Sequence, residues 1–293
     1  MQTLTVPTHI ALRNILFATD FSDVSRAALP FALELARCYA GKVFLTHVVP
    51  YDPYLSVPLE PIPVDVDLFW NREKQNMADF VASSQFGDVA HEEIMQRGEL
   101  WAVISDVIRR KEIDLVVLGT HGRHGFTKVV LGSGAEKIYR HAKCPVLTIG
   151  PGVAGKSAAG WTPKHILFAT DFSDTSLNAL PHALSLAKEK QATLTFLHLI
   201  PLLPHDHQEK IEQTTRERLK ALMPAEPGCK PEFEVRFDTP VHGILQVARE
   251  RQADLIVMGV GKPAAAPLGS HSPWSTASDV VREAPCPVLT VRG

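Results

Sequence analysis

Two hydrophobic patterns alternate along the chain. Ile15 to Ala18 is a short, wholly apolar run that ends in the polar stretch TDFSD. Leu29, Ala32, Leu33 and Ala36 then recur at the spacing of one helix face. Lys42 to Val49 reads as a strand, Phe69 to Gln85 as a helix, and Val89 to Gln96 as a weaker, edge-like strand. Leu100, Val103, Ile104, Val107 and Ile108 form the apolar stripe of another helix. Leu115 to Leu118 is a buried strand, a helix follows Gly132, and Val146 to Ile149 is the last strand of the series. Short apolar strands alternating with amphipathic helices dictate an α/β fold whose parallel sheet is covered on both faces. Pro30 and Pro181 are the misfits. A proline inside a helix costs about 3 kcal/mol, so the first helix of each series should be kinked or begin near its proline.

The series occurs twice. ILFATDFSD at 15–23 returns letter for letter at 166–174. Leu29-Pro30 answers Leu180-Pro181, His47 and Pro50 answer His198 and Pro201, IDLVVLG answers ADLIVMG, and KCPVLTIG answers PCPVLTVRG. A self-match of this length marks a duplicated domain. The first copy is longer in the middle, mostly through YDPYLSVPLEPIPVDVD, a proline-rich insertion that either covers a pocket or lies on the surface. GPGVAGKSAAG at 150–160 has the small, polar composition of a linker. The division is a first domain over 1–150, a linker over 151–162 and a second domain over 163–293.

Composition narrows the classes. At 45% apolar and 21% charged, the 293 residues can bury real cores. Thirty Lys and Arg face 32 Asp and Glu for a net charge of -2, which removes the basic surplus a nucleic-acid binder needs. No apolar run approaches a membrane span, and MQTLTVPTHIALRN shows no secretory signal, so a cytoplasmic protein without membrane partners is expected. Four cysteines without a CxxC pair make no disulfide framework.

In open α/β sheets ligands sit beyond the carboxyl ends of the strands, where the strand order reverses. Asp20 follows the first strand, and Gly119-Thr120-His121-Gly122-Arg123-His124-Gly125 follows the fourth. Gly132-Ser133-Gly134 then opens a helix. Glycines let backbone N–H groups approach a phosphate, and a helix N-terminus adds unpaired donors and positive potential. Loop and helix start together form a two-piece phosphate cradle, with Ser133 as a hydroxyl donor and Arg123 and His124 as cations. Neither the P-loop nor the dinucleotide fingerprint is present.

On these residues the chain resembles the universal stress protein family across both halves, as a tandem member. The first copy carries that family's nucleotide motif, G-x2-G-x9-G-[ST], as Gly119, Gly122, Gly132 and Ser133; ATDFSD and CPVLTI resemble its opening and closing strands. The resemblance implies two tandem domains, each an open five-stranded parallel sheet of order 3-2-1-4-5 with helices on both faces. It also implies ATP, with Mg²⁺, between strands one and four. Asp20 and the backbone of Val48 would hold the adenine end, lined by Ala18 and Thr19. Leu118 and Gly119 would line the ribose. Thr120, His121, Gly122 and Arg123, with Gly132, Ser133, Gly134 and Ala135, would surround the phosphates. Family members resemble one another in pairing through the last strand. A tandem chain can satisfy that pairing internally as a pseudo-dimer, leaving a homodimer or another protein partner as further possibilities.

The second copy keeps Asp171, His198-Leu199 and Gly259, yet counting back from CPVLT puts Trp274-Ser275 where the first has Gly132-Ser133. An indole would fill phosphate space, and the prolines of GVGKPAAAPLGSHSP remove N–H donors, so this copy should bind nucleotide weakly or not at all. An alternative register through Gly269-Ser270, with Lys262 for charge, keeps the motif spacing. Trp274 could instead pack on the partner lobe. His121 and His124 read as solvated or phosphate-facing and His205-Asp206-His207 as surface polar residues, rather than metal-binding, Cys144 and Cys286 as small buried residues, and Glu73-Lys74 and Glu209 to Lys220 as solvated helix faces. No catalytic set is legible, since GSG is not GxSxG. The leading expectation is an ATP-binding stress-response or signalling module. A slow ATP hydrolase or nucleotidyl transferase, and a nucleotide-free scaffold, are its rivals.

Overall fold

A computed structural model describes residues 10–51, 66–120, 132–150, 152–153, 160–202, 208–261 and 273–293, with backbone alone at 66 and 273–275. The first half runs β1 (Asn14–Ala18), α1 (Asp23–Tyr39), β2 (Lys42–Val49), α2 (Val66–Ser83), β3 (His91–Arg97), α3 (Leu100–Arg110), β4 (Leu115–Gly119), α4 (Ser133–His141) and β5 (Val146–Ile149). The second repeats it as β6 (His165–Ala169), α5 (Asp174–Leu177), α6 (Leu180–Lys190), β7 (Thr193–Ile200), α7 (Gln208–Ala221), β8 (Lys230–Phe237), α8 (Pro240–Glu250), β9 (Leu255–Val260), α9 (Pro273–Glu283) and β10 (Val288–Arg292). The proline-rich insertion lies outside the described residues over 52–65, as does most of the linker.

The strands form one ten-stranded sheet of order β3-β2-β1-β4-β5-β10-β9-β6-β7-β8. Each half is parallel and has the expected order 3-2-1-4-5. The halves join where β5 and β10 pair antiparallel, Val288 opposite Thr148 and Thr290 opposite Val146. That seam uses the edge each half would otherwise expose. The outer edges, β3 and β8, carry charge instead: Glu92 is bridged by Lys42 and Lys111, and Glu234 by Arg236 and Arg251.

The strands are apolar throughout because both sheet faces are covered. Ile15, Leu16 and Phe17 are all fully buried, and each such side chain contributes about 1.5–3 kcal/mol. On one face a single core runs through both halves, from Phe17, Leu45 and Leu147 to Leu289, Val257 and Phe196. The other face is divided: Leu16, Phe44, Val116 and Leu118 pack under α3 and α4, while Leu167, Leu197 and Ile256 pack under α8 and α9. Tyr139 of α4 groups with the second of these cores, and the Arg292 guanidinium donates to the carbonyls of Tyr139 and Arg140. Trp161 lies edge-on to Phe31 with ring centroids 5.0 Å apart, seating the end of the linker on α1.

The two prolines are accommodated differently. α1 continues through Pro30. In the second half the helix breaks after Leu177 and restarts at Leu180, with Pro181 in its first turn, where its missing N–H has no helical partner to lose. Among the described residues, no helix is long and apolar enough to cross a membrane.

Candidate nucleotide-binding site

The carboxyl end of β1 is shaped by the sequence Thr-Asp-Phe-Ser. The Thr19 N–H continues the ladder to the Thr46 carbonyl at 3.0 Å. The chain then folds on its own side chains, as threonine and aspartate do at turns. Phe21 N–H donates to Thr19 Oγ1 at 3.0 Å, and Asp20 Oδ1 accepts from the Ser22 N–H at 3.1 Å and hydroxyl at 2.6 Å. Ser22 in turn caps α1, accepting from the Ser25 N–H. These bonds hold Phe21 at φ 65°, a left-handed conformation that is a true outlier for a bulky residue. The second half repeats the turn: Asp171 accepts from Ser173, and Phe172 lies at φ 62°. Burial pushes the Asp171 carboxyl up, but the bonds from Ser173 and Ser176 outweigh it and hold the group below its ordinary 3.8.

Beside this turn β2 runs three residues past Thr46, its last residue paired with β1. The Thr46 carbonyl faces β1, so strand alternation turns the backbone polar groups of Val48 the same way, toward the turn that carries Asp20. Ala18, Val48 and Ala135 are half-buried against one end of the α3–α4 core, and Leu118 is buried within it. Three residues assigned to the adenine and ribose ends, Ala18, Val48 and Leu118, and one assigned to the phosphates, Ala135, thus come together on one face.

At the end of β4, the Thr120 N–H donates to the Ile149 carbonyl at 3.0 Å and Thr120 is fully buried. Its own carbonyl accepts from the Gly132 N–H at 2.7 Å. The loop over 121–131 therefore leaves and returns at one point, the foot of α4. His121, Gly122 and Arg123 lie outside the described residues, as does His124. The bonds at Thr120 and Gly132 commit two of the N–H groups assigned to phosphate. Gly132 is the N-cap of α4 and has no side chain to cap it, unlike Ser22 on α1 and Glu99 on α3. The N–H groups of Ser133, Gly134 and Ala135 open this helix, and Ser133 is exposed.

Gly119 has a packing reason of its own. A Cβ there would meet the Val24 carbonyl and side chain, both at 3.1 Å, where α1 crosses β4. Gly134 is similar, with Leu100 at 3.0 Å. Gly119 and Gly134 therefore serve the close approach of helices independently of any ligand.

Glu73 corrects the expectation of a solvated helix face. It is only 3% exposed, and its Oε2 lies 3.2 Å from Nε2 of His47, itself 5% exposed. Glu73, Met77 and Phe80 share the buried stripe of α2 at positions i, i+4 and i+7; that spacing was the available signal. Nδ1 of His47 donates to the Thr19 carbonyl at 2.8 Å. In the second half His198 makes the matching bond to the Thr170 carbonyl at 2.7 Å, but its charged neighbours are Arg218 and Asp171. Burial first, with Arg218 assisting, lowers the His198 pKa.

The second phosphate cradle falls largely outside the described residues, including Lys262 and Gly269-Ser270. α9 opens at Pro273, which has no N–H, and Trp274 follows in its first turn; the placement of the indole is among the undescribed side chains. His205-Asp206-His207 is also outside. Cys286 is buried, whereas Cys144 is half-buried; burial pushes the Cys144 thiol up to about 11, which disfavours the thiolate.

The comparisons agree with this architecture. The profile of the universal stress protein family matches residues 11–150 and again 162–292. A universal stress protein of Methanocaldococcus jannaschii is 30% identical over 139 residues, covering 47% of this chain and 81% of that protein. The crystal structure of a universal stress protein from Archaeoglobus fulgidus superposes with a TM-score of 0.70 at 19% identity, over 97% of this chain and 99% of the other. A putative universal stress protein from Pseudomonas aeruginosa gives 0.61 at 19% identity, over 96% and 94%. With both halves matched and the duplicated fold in place, the chain belongs to the universal stress protein family.

Proposed function

We propose that the first half binds ATP, with Mg²⁺ as the counter-ion of its phosphates, and that the chain acts as a nucleotide-binding signalling module. The observation that carries this reading is the 2.7 Å bond from the Gly132 N–H to the Thr120 carbonyl. It brings both ends of the glycine loop to the start of a helix whose N-cap offers no side chain, so the two pieces of the cradle share one location. Asp20 and the backbone of Val48 flank the adenine end, Leu118 and Gly119 the ribose, and Ser133 to Ala135 present first-turn donors to the phosphates. By the motif spacing, Gly122 and Arg123 are the loop residues assigned to the same phosphates. The second half keeps the adenine-end turn but opens its helix with proline, and binds nucleotide weakly or not at all.

Denaturing the purified protein and separating the released nucleotide by anion exchange tests the reading. Retained ATP supports a binding module. ADP or AMP in its place indicates turnover in the same pocket. A protein that neither retains nor takes up added ATP contradicts the assignment.

A further inference from the structure

The turn that carries Asp20 is strained and braced from behind. Phe21 sits at φ 65°, a conformation costing a bulky residue about 1–3 kcal/mol and kept only where surroundings over-determine it. Its ring lies 4.2 Å from the His47 imidazole and 5.7 Å from Phe80. His47 is fixed at both nitrogens. A carbonyl oxygen only accepts, so Nδ1 carries the hydrogen in the 2.8 Å bond to Thr19. Nε2 meets Glu73 Oε2 at 3.2 Å, and Asn76 Nδ2 donates to the same oxygen at 3.3 Å. Burying a carboxylate is costly unless it is paired, so Glu73 has a specific task on α2.

We propose that Glu73 and His47 are positioning residues for nucleotide binding: through the Thr19 carbonyl and the Phe21 ring they hold Asp20 at the adenine end of the pocket. This rests on the reading that the first half binds ATP. The second half has the same strained turn and the same imidazole-to-carbonyl bond, but Arg218 stands over the Phe172 ring at 4.1 Å, and among the described residues the carboxylate that influences the His198 imidazole is Asp171 of the turn itself rather than one on the helix behind it. The brace is therefore a difference between the halves at the adenine end, separate from the phosphate cradle.

The test uses the full chain labelled with ¹⁵N-histidine. In the wild type, the His47 Nδ1–H signal should be protected from solvent exchange. In Glu73→Leu it should exchange about tenfold faster, and ATP affinity should fall about tenfold, the equivalent of one hydrogen bond. Glu73→Gln can donate its amide to Nε2, so it should restore both readouts to within about threefold. Phe21→Gly relieves the backbone strain but removes the stack. It should fold, yet bind ATP about fivefold more weakly, and it decides the matter if Glu73→Leu does not fold. Wild-type affinity in Glu73→Leu or Phe21→Gly overturns the proposal while leaving the ATP reading intact. A wild type that binds no ATP overturns both.

Discussion

Thr148 and Thr290 answer one another across the seam between the halves. The Thr148 hydroxyl donates to the Val288 carbonyl at 3.1 Å, and the Thr290 hydroxyl donates to the Val146 carbonyl at 3.2 Å. Both side chains are buried, in a strand pair only a few residues long. The duplicated sequence has become a duplicated structure in which each copy completes the other's edge.

Replacing both threonines by valine keeps their shape and deletes both hydroxyls. The double variant should lose about 1–3 kcal/mol of unfolding free energy, read by urea titration. An unchanged midpoint and slope would show that the hydroxyls contribute nothing to the seam.

Gly259 and Gly119 occupy equivalent positions but differ in tightness. A Cβ at Gly259 would strike the Thr175 carbonyl and lie 2.5 Å from Ser176 Cα, whereas one at Gly119 meets Val24 atoms at 3.1 Å. Gly259→Ala should therefore cost about 1–3 kcal/mol, and Gly119→Ala clearly less. Thermal unfolding of the two variants checks the order, and equal losses would contradict it. Gly119 variants consequently report on packing before they report on nucleotide, which makes Gly122 the cleaner position for a ligand test.

The elements were legible because each uses one unambiguous period. Lys42–Val49 and Val146–Ile149 fall where alternation and apolar runs place them. The internal pairing of β5 with β10 came from the family resemblance, which places the apolar PVLT strand of each copy at a sheet edge and pairs it. Glu73 was not, because a charged letter hides the apolar stripe it shares with Met77 and Phe80. The two prolines left open a helix kinked at the proline or one beginning near it; α1 runs through Pro30 while α6 begins at Leu180-Pro181, so the choice between them is made by tertiary context. For the phosphate cradle, the spacing of Gly119, Gly122, Gly132 and Ser133 was visible, but not that the Gly132 N–H is already bound to Thr120.

Acid should weaken the fold through half-buried imidazoles. His182 lines a small apolar cavity between the halves with Leu147, Trp161 and Leu289, with the Asn178 backbone as its polar neighbour. Burial lowers its pKa below the ordinary 6.5, as it does for His198. Above 6.5 both folded and unfolded chains hold neutral imidazoles. Below it the unfolded chain takes up protons that the folded one resists, so stability falls with pH until the folded groups titrate. Urea unfolding at about pH 7.5 and pH 5 should show this loss, with a smaller loss in His182→Gln. An equal loss in that variant would remove His182 from the account.

The two halves should differ in nucleotide binding, and isothermal titration of the full chain with ATP and Mg²⁺ measures that most directly. The account predicts one ATP per chain, weakened by Asp20→Asn and Ser133→Ala and abolished by Gly122→Val, with Asp171→Asn leaving the stoichiometry at one. Absence of binding in the wild type, or a site that persists unchanged in Gly122→Val, would contradict it.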